Sequence, residues 1–205
     1  MNHYKVSFLT VVFCLWFVSF NEVHANNIAP NQNNNWSLLT SLRPMDLVQG
    51  SFLQKKYFKI LKQPIKSSGL IFIDKQAGFV WQTRKPASSI LILNKQGLYS
   101  GSTFDTKFTH VKGASDFSQI LMDAITGNVA ALTLSFSAQR TNDLNCLKLI
   151  PINSQISTLF SSLRLCTKQQ KIDQLTLIET TGNRTEIVFQ LNEVNNLPKA
   201  IRAKL

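Results

Sequence analysis

The sequence is poor in histidine, the side chain most often used in catalysis and metal binding. Its 205 residues include His3, His24 and His110, and we expect the first two to leave with a cleaved N-terminal segment. One remaining histidine excludes a multi-histidine metal site and weakens any Ser-His-Asp scheme. The sequence also lacks a G-x-S-x-G nucleophile elbow. We therefore predict no catalytic residue, metal or cofactor and a strand-end or loop role for His110, with a secreted hydrolase as the less favoured alternative.

Acidic residues are also scarce, because 22 lysines and arginines face 11 aspartates and glutamates, for a net charge of +11. This excess allows nucleic acid, an anionic membrane or an acidic protein as partner. The basic residues form no known nucleic-acid module, so we predict no nucleic-acid partner. Much of the charge lies between residues 43 and 85, where it indicates either a solvated face or a docking rim for an acidic partner or lipid headgroups. The candidate rim residues are Lys55, Lys56, Lys59 and Lys62.

No apolar run is long enough for a membrane-spanning helix. The longest, 6–20, has 15 residues, whereas a span needs roughly 20. With Lys5 before it and Val23-His24-Ala25 after it, this run predicts a cleaved secretory signal over 1–25. The Asn-rich segment 26–35 is predicted to be a disordered leader, and 36–205 to form one exported domain.

Cysteine is nearly absent, and Cys14 falls in the predicted signal. Cys146 and Cys166 remain, each out of phase with the leucines of its own strand. An oxidising compartment permits a disulfide, and we predict one between them. Two free thiols or a redox-active pair is the alternative, although a C-x-x-C motif is lacking.

Short alternating strands dominate what is present. In GLIFIDKQAGFVWQTRKP (69–86), two aromatic-rich strands flank a glycine-containing turn, which predicts a hairpin. Phe79 and Trp81 share one of its faces, and such large rings require cover from a core or a ligand. Further strands are predicted at 46–58, 90–93, 98–104, 132–137, 144–150, 163–167, 172–179 and 184–191, and short helices at 36–42, from Ser115 or Asp116 to Gly127, and at 154–161. About nine strands with a few inserted helices favour a mainly β fold, a strongly curved antiparallel sheet whose concave face the helices cover.

Five residue strings occur in a fixed order, namely Gly50–Gln54, Ser68–Phe72, Phe79–Thr83 with Pro86, Leu147–Pro151, and Gly182–Thr185 leading into Ile187 and Phe189. Together they make the chain resemble the LolA-like family of periplasmic outer-membrane lipoprotein carriers, as a divergent branch.

The resemblance implies an unclosed β-barrel with a helical lid over an apolar cavity that holds acyl chains. It implies that Phe79 lies at the cavity mouth and matters for cargo transfer, and that Trp81 lines the interior. Lys75 occupies the place of an arginine that helps to hold the lid in the best-known carriers, and lysine cannot make the same forked contact. The expected cavity residues are Phe52, Leu70, Phe72, Phe79, Trp81, Ile90, Ile92, Leu121, Ile125, Leu134, Phe136, Leu147, Leu149, Leu177 and Phe189.

The function that follows is a non-enzymatic, monomeric carrier of lipoprotein acyl chains or another lipid towards the outer membrane. Its protein partners would be an inner-membrane donor and an outer-membrane acceptor. The alternative is a binding or regulatory module that uses the same shell to sense lipid or to dock an envelope protein. Charge reversal at Lys55, Lys56 and Lys59 separates the two, because only docking should then be lost.

Overall fold

One antiparallel sheet of eleven strands organises the described part of the chain. The computed structural model describes residues 35–111 and 115–205, with only the backbone for 115–117. The predicted signal over 1–25 and nearly all of the predicted leader lie outside the described residues. The strands are β1 (Leu47–Tyr57), β2 (Ile65–Asp74), β3 (Gly78–Lys85), β4 (Ser89–Asn94), β5 (Gly97–Gly101), β6 (Thr109–His110), β7 (Phe136–Arg140), β8 (Cys146–Pro151), β9 (Phe160–Lys168), β10 (Lys171–Glu179) and β11 (Arg184–Glu193). The helices are α1 (Ser37–Thr40), α2 (Ser115–Thr126), α3 (Val129–Ser135), α4 (Ser154–Leu159) and α5 (Lys199–Arg202).

The strand order is β6-β5-β4-β3-β2-β1-β11-β10-β9-β8-β7, so two meanders are joined where the first strand pairs with the last. At this junction Phe52 of β1 lies opposite Phe189 of β11. The strands β6 and β7 end the order without pairing with each other. The sheet is therefore open, which confirms the predicted unclosed barrel.

The contacts of α2 show that the sheet is strongly curved. This helix contacts β4 and β5 of the first meander and also β10 of the second. Five strand spacings separate β4 from β10 in the order, which would be about 24 Å in a flat sheet. A helix is only about 10 Å wide, so the sheet must bend around α2. The helix thus lies in the concave face, as predicted.

The concave face carries the main hydrophobic core. Alternate residues of each strand point inward, including Phe52, Trp81 and Phe189, and they meet Leu121 and Ile125 of α2. Each such side chain stabilises the fold by about 1.5–3 kcal/mol when fully buried. Between β2 and β3 the strands approach closely at Gly69, where a Cβ would collide with the backbone carbonyl of Gln82.

A second, smaller core covers part of the convex face. Phe72, Val80, Ile90 and Ile92 are buried there beneath Leu197 and Ile201, and Ile201 belongs to α5. The chain after β11 thus crosses back over the outside of the first meander. This segment explains why β2, β3 and β4 are apolar on both faces.

Three elements differ from the prediction. Residues 132–135 were expected in a strand but belong to α3, because the side chain of Asn128 accepts a hydrogen bond from the Ala131 N–H and caps a helix that begins at Val129. The short strand β6 was not predicted, and neither was α5. Both are too short for their residue pattern to mark them. The described chain has eleven strands, against the count of about nine expected from the sequence.

Candidate functional site

A pocket of about 270 Å³ lies between the concave face and α2. Its walls combine the first meander, the second meander and the helix, so it exists only because the sheet is curved. Apolar side chains form most of the wall, and the polar ones come mainly from the ends of strands. The lining residues are Gln54, Lys56, Phe79, Trp81, Leu91, Ser118, Leu121, Phe160, Leu177, Glu179, Thr185 and Ile187.

Aromatic rings lie in this wall and directly behind it. Trp81 stacks on Phe52 with ring centroids 3.9 Å apart and meets Phe189 edge-on at 6.2 Å. Phe79 and Trp81 line the same pocket, as the alternation of β3 predicts. Both are buried, with 2% and 7% exposure. Phe79 is therefore part of the pocket wall rather than a surface residue.

An ion pair lies at the polar side of the pocket. The Lys56 ammonium is 3.0 Å from a carboxylate oxygen of Glu179, and both side chains are partly buried. The Glu179 carboxylate also accepts hydrogen bonds from Asn183 and Thr181, at 2.9 and 3.1 Å. Burial acts to raise the pKa of Glu179, but the hydrogen bonds from Asn183, Lys56 and Thr181 and the charge of Lys56 outweigh it. The net effect holds this pKa below its ordinary value, so Glu179 is ionised at neutral pH.

The structure brings together most of the residues expected in the cavity. Phe79, Trp81, Leu121 and Leu177 line the pocket itself. A larger set lies in the concave-face core that surrounds it, namely Phe52, Phe79, Trp81, Leu121, Ile125, Phe136, Leu147, Leu149, Leu177 and Phe189.

Five expected cavity residues lie elsewhere. Phe72, Ile90 and Ile92 belong to the convex-face core, and Leu70 packs against it. These four alternate with inward residues such as Ile71, so the choice of face was wrong for each of them. Leu134 is also misplaced, because it lies on the outer side of α3 and is 79% exposed.

Lys75 makes its ion pair and its backbone hydrogen bond with Asp46. Its ammonium lies 3.9 Å from Asp46, and its backbone N–H donates to the Asp46 carbonyl at 2.9 Å. Lys75 therefore joins the β2–β3 turn to the residue before β1. The expected lid-locking role of Lys75 stays a prediction.

The candidate docking rim is divided between two faces. Lys55, Lys59 and Lys62 are exposed, and Lys55 lies opposite Glu186 of β11. Lys56, by contrast, points into the concave side and lines the pocket. A strand places neighbouring residues on opposite faces, so Lys55 and Lys56 cannot serve one surface.

The predicted disulfide between Cys146 and Cys166 is confirmed. The two cysteines lie directly opposite each other on β8 and β9. Asp143 lies near both sulfurs, but sulfur atoms in a disulfide are not thiolates and do not offer a metal the ligand it prefers.

His110 lies in β6, away from the pocket, where its ring meets Tyr99 edge-on at 5.3 Å.

Within the described residues, no helix is long and apolar enough to span a membrane.

Several pocket residues were missed by the sequence reasoning. Leu91 alternates with Ile90 and Ile92, so a correct face assignment on β4 would have found it. Ile187 shares the inward face of Phe189, which was expected in the cavity, and only Phe189 was chosen from that face. Glu179 and Phe160 lie at strand ends, where alternation gives little information. The meeting of Lys56 with Glu179 depends on the pairing of β1 with β11 and of β11 with β10, which no local pattern predicts.

Comparisons with known proteins point to one family. The profile of the outer membrane lipoprotein carrier protein LolA matches residues 44–201. An outer-membrane lipoprotein carrier protein from Chromohalobacter salexigens is 23% identical over 141 residues, which cover 63% of this chain and 62% of that protein. This chain thus spans about three fifths of the length of that curated relative.

Two solved structures resemble the fold of this chain. A LolA superfamily protein from Nitrosomonas europaea superposes with a TM-score of 0.47 and 10% identity over 82% of this chain and 94% of its own. A DUF1329 family protein from Desulfovibrio piger gives a TM-score of 0.47 and 9% identity over 82% of this chain and 95% of its own.

Proposed function

The chain belongs to the LolA family of outer membrane lipoprotein carrier proteins, and from this premise we propose that it carries acyl chains in its concave pocket. The cargo is a lipoprotein or another lipid, shielded from water during transfer towards the outer membrane. No step in this role requires bond chemistry, so we propose a carrier rather than an enzyme.

The observation that carries the proposal is the pocket beside Phe79 and Trp81. In a small closed barrel the interior is filled by the barrel's own side chains. Here the sheet is open and α2 lies over its concave face, which leaves about 270 Å³ against these two rings. The wall next to the rings is apolar, as an acyl chain requires.

The free energy of exposing a lipid tail explains why a carrier needs such a pocket. Each CH₂ group is worth about 0.8 kcal/mol, so a long acyl chain costs on the order of 10 kcal/mol to expose to water. A surface groove would leave much of that chain wet. The pocket is close to the lower end of the ligand-site range of about 300–1,000 Å³. Accordingly, we propose that α2 moves outward when a full acyl chain enters.

The Lys56–Glu179 pair supports an amphiphilic cargo. It lies on the polar side of the same pocket, at the ends of strands, and both side chains are partly exposed to solvent. We propose that the acyl chain enters with its polar head beside this pair. Anionic head groups would contact Lys56, and neutral ones would accept its hydrogen bonds.

The cellular setting is part of the proposal. A carrier of this kind works in the periplasm as a monomer, between a donor protein of the inner membrane and an acceptor of the outer membrane. The predicted signal over 1–25 and the Cys146–Cys166 disulfide support export into an oxidising compartment.

Native mass spectrometry of the protein tests this function. After purification without detergent and incubation with lipid vesicles, the wild type should carry one bound lipid. A Leu91→Trp variant should not, because the larger ring fills the pocket that Leu91 lines. Val188→Trp is the matched control, since Val188 is 45% exposed on the convex face. A wild type that takes up no lipid, or a Leu91→Trp variant that binds as well as Val188→Trp, would contradict the proposal.

A further inference from the structure

Exposed apolar side chains concentrate at one edge of the sheet. Because neighbouring strands are antiparallel, the end of β1, the start of β2, the end of β8 and the start of β9 all meet at this edge. We call it the mouth edge, formed by residues 58–65, 152–159 and 180–183. Nine large apolar residues are exposed in the described chain. Five of them lie on the mouth edge, and Leu134 lies directly beside it. These six are Ile60, Leu61, Ile65, Leu134, Ile152 and Leu159.

The loop between β1 and β2 presents the most exposed of these residues. A turn closed by the Leu61 N–H donating to the Phe58 carbonyl at 3.0 Å places Ile60 at its tip, where it is 90% exposed. Leu61 beside it is 46% exposed. An isoleucine held at a loop tip gains nothing for the stability of the fold and is suited to an external apolar phase.

Positive charge surrounds the same loop. Lys55, Lys59, Lys62 and Lys66 are exposed, and none of them forms an ion pair with any described residue. The nearby acidic groups are already paired, Glu179 with Lys56 and Glu186 with Arg184. The field outside the mouth edge is therefore positive.

The loop also lies next to the pocket. Lys56, which lines the pocket, is two residues before Phe58, and the Lys59 side chain packs against Gly182 in the turn that follows Glu179. Phe160, another pocket residue, directly follows the exposed Leu159. A surface that meets the mouth edge therefore meets the polar side of the pocket.

We propose that the mouth edge docks directly on an anionic lipid bilayer, with Ile60 and Leu61 inserted and the four lysines on the phosphate groups. The apolar residues stand on separate loops rather than in one groove, and a fluid bilayer accommodates separate tips without shape complementarity. Apolar insertion combined with basic residues is the general pattern of interfacial anchoring. Docking opens the pocket towards the lipid; only this consequence rests on the proposed carrier function.

Flotation with lipid vesicles tests the docking. Wild-type protein should float with phosphatidylglycerol-rich vesicles and not with phosphatidylcholine vesicles, and high salt should weaken the binding. Ile60→Asp should lower the vesicle affinity about tenfold through loss of apolar burial. Replacement of Lys59 or Lys62 by alanine should lower it about fivefold for each lysine.

Leu144→Asp is the matched control, because Leu144 is 85% exposed at the opposite edge, between β7 and β8. It should bind vesicles as the wild type does. An Ile60→Trp variant gives a second readout, since brominated acyl chains should quench its added fluorescence. A wild type that fails to float, an Ile60→Asp variant that floats equally, or no quenching would overturn the proposal. Failure to float would point instead to an acidic protein as the partner of the lysines.

The vesicle assay does not depend on cargo. Leu91→Trp blocks the pocket but leaves the mouth edge intact, so it should float as the wild type does. Ile60→Asp should still take up lipid presented in detergent micelles. Failure of docking and failure of lipid carriage are thereby distinguished.

Discussion

The indole of Trp81 stacks on the ring of Phe52 at a centroid distance of 3.9 Å, and this pair joins strands that are not neighbours. Phe52 is on β1 and Trp81 on β3, with β2 between them. The contact spans the concave face beneath the pocket and helps to fix its curvature. Phe52→Ala should therefore lower the free energy of unfolding by about 3–5 kcal/mol.

Urea unfolding followed by circular dichroism measures this effect. Leu53→Ala is the control, because Leu53 is the next residue, points outward and is 64% exposed. It should change the free energy by no more than about 0.5 kcal/mol. Equal losses for the two variants would show that the stack does not support the concave face.

The Lys56–Glu179 pair should make stability depend on acid pH. The folded pKa of Glu179 lies below its ordinary value of 4.5, so its contribution is present above that value and is lost as pH falls through the folded pKa. Glu179→Gln should cost no more than about 1 kcal/mol at pH 7, since the pair is partly solvated. The difference between wild type and variant should vanish well below pH 4.5. A difference that persists unchanged in acid would contradict the assignment.

Asp123 should have the opposite effect. Burial raises the pKa of this carboxyl, and the hydrogen bonds from Asn128 and Gln119 only partly oppose the rise. A raised folded pKa favours the folded state at low pH, and that contribution is lost as pH rises through it. Both hydrogen bonds go to the Oδ1 atom, which asparagine retains without the charge.

Asp123→Asn should consequently unfold at a higher temperature than the wild type at pH 7. At pH 3, where the wild-type carboxyl is protonated, the two melting temperatures should converge. Thermal melts at the two pH values measure this. A variant that is destabilised at pH 7 would show that the negative charge is required by the α2–α3 connection.

The disulfide should contribute measurably to stability. Cys146 and Cys166 are separated by 20 residues in the sequence, and closing such a loop stabilises by about 3 kcal/mol in the chain-entropy model. The double variant Cys146→Ser/Cys166→Ser should lose this amount, and reductant should shift the unfolding of the wild type but not of the variant. If reductant shifts both equally, the disulfide is not its target.

The sequence predicts the inward side of β3 well and that of β2 and β4 poorly, for one physical reason. On β3 the two large rings, Phe79 and Trp81, mark the concave face by their size. On β2 and β4 the runs LIFI and ILIL are apolar on both faces, because the chain around Leu197 and Ile201 covers the outside. That cover comes from more than 100 residues later in the sequence, so no local period could reveal it.

The existence of a pocket could be predicted, but its full set of lining residues could not. A curved sheet with helices on its concave face follows from the strand count and the helix placement, whereas the lid and the apolar cavity are implied by the family resemblance. The contact of Lys56 with Glu179 arises where the two ends of the chain meet across β1, β11 and β10. Likewise, the helix at 129–135 depends on the Asn128 cap, which outweighs the alternation of Leu132 and Leu134.

The most direct test of the account is to locate a bound acyl chain by photo-cross-linking. A long-chain lipid with a diazirine near the end of its tail is loaded onto the wild type, irradiated, and the labelled residues are identified by mass spectrometry. We predict labels on Phe79, Trp81 and Leu121, which line the concave pocket. Labels confined to the convex groove around Leu53 and Val188 would contradict the claim that the concave face holds the cargo.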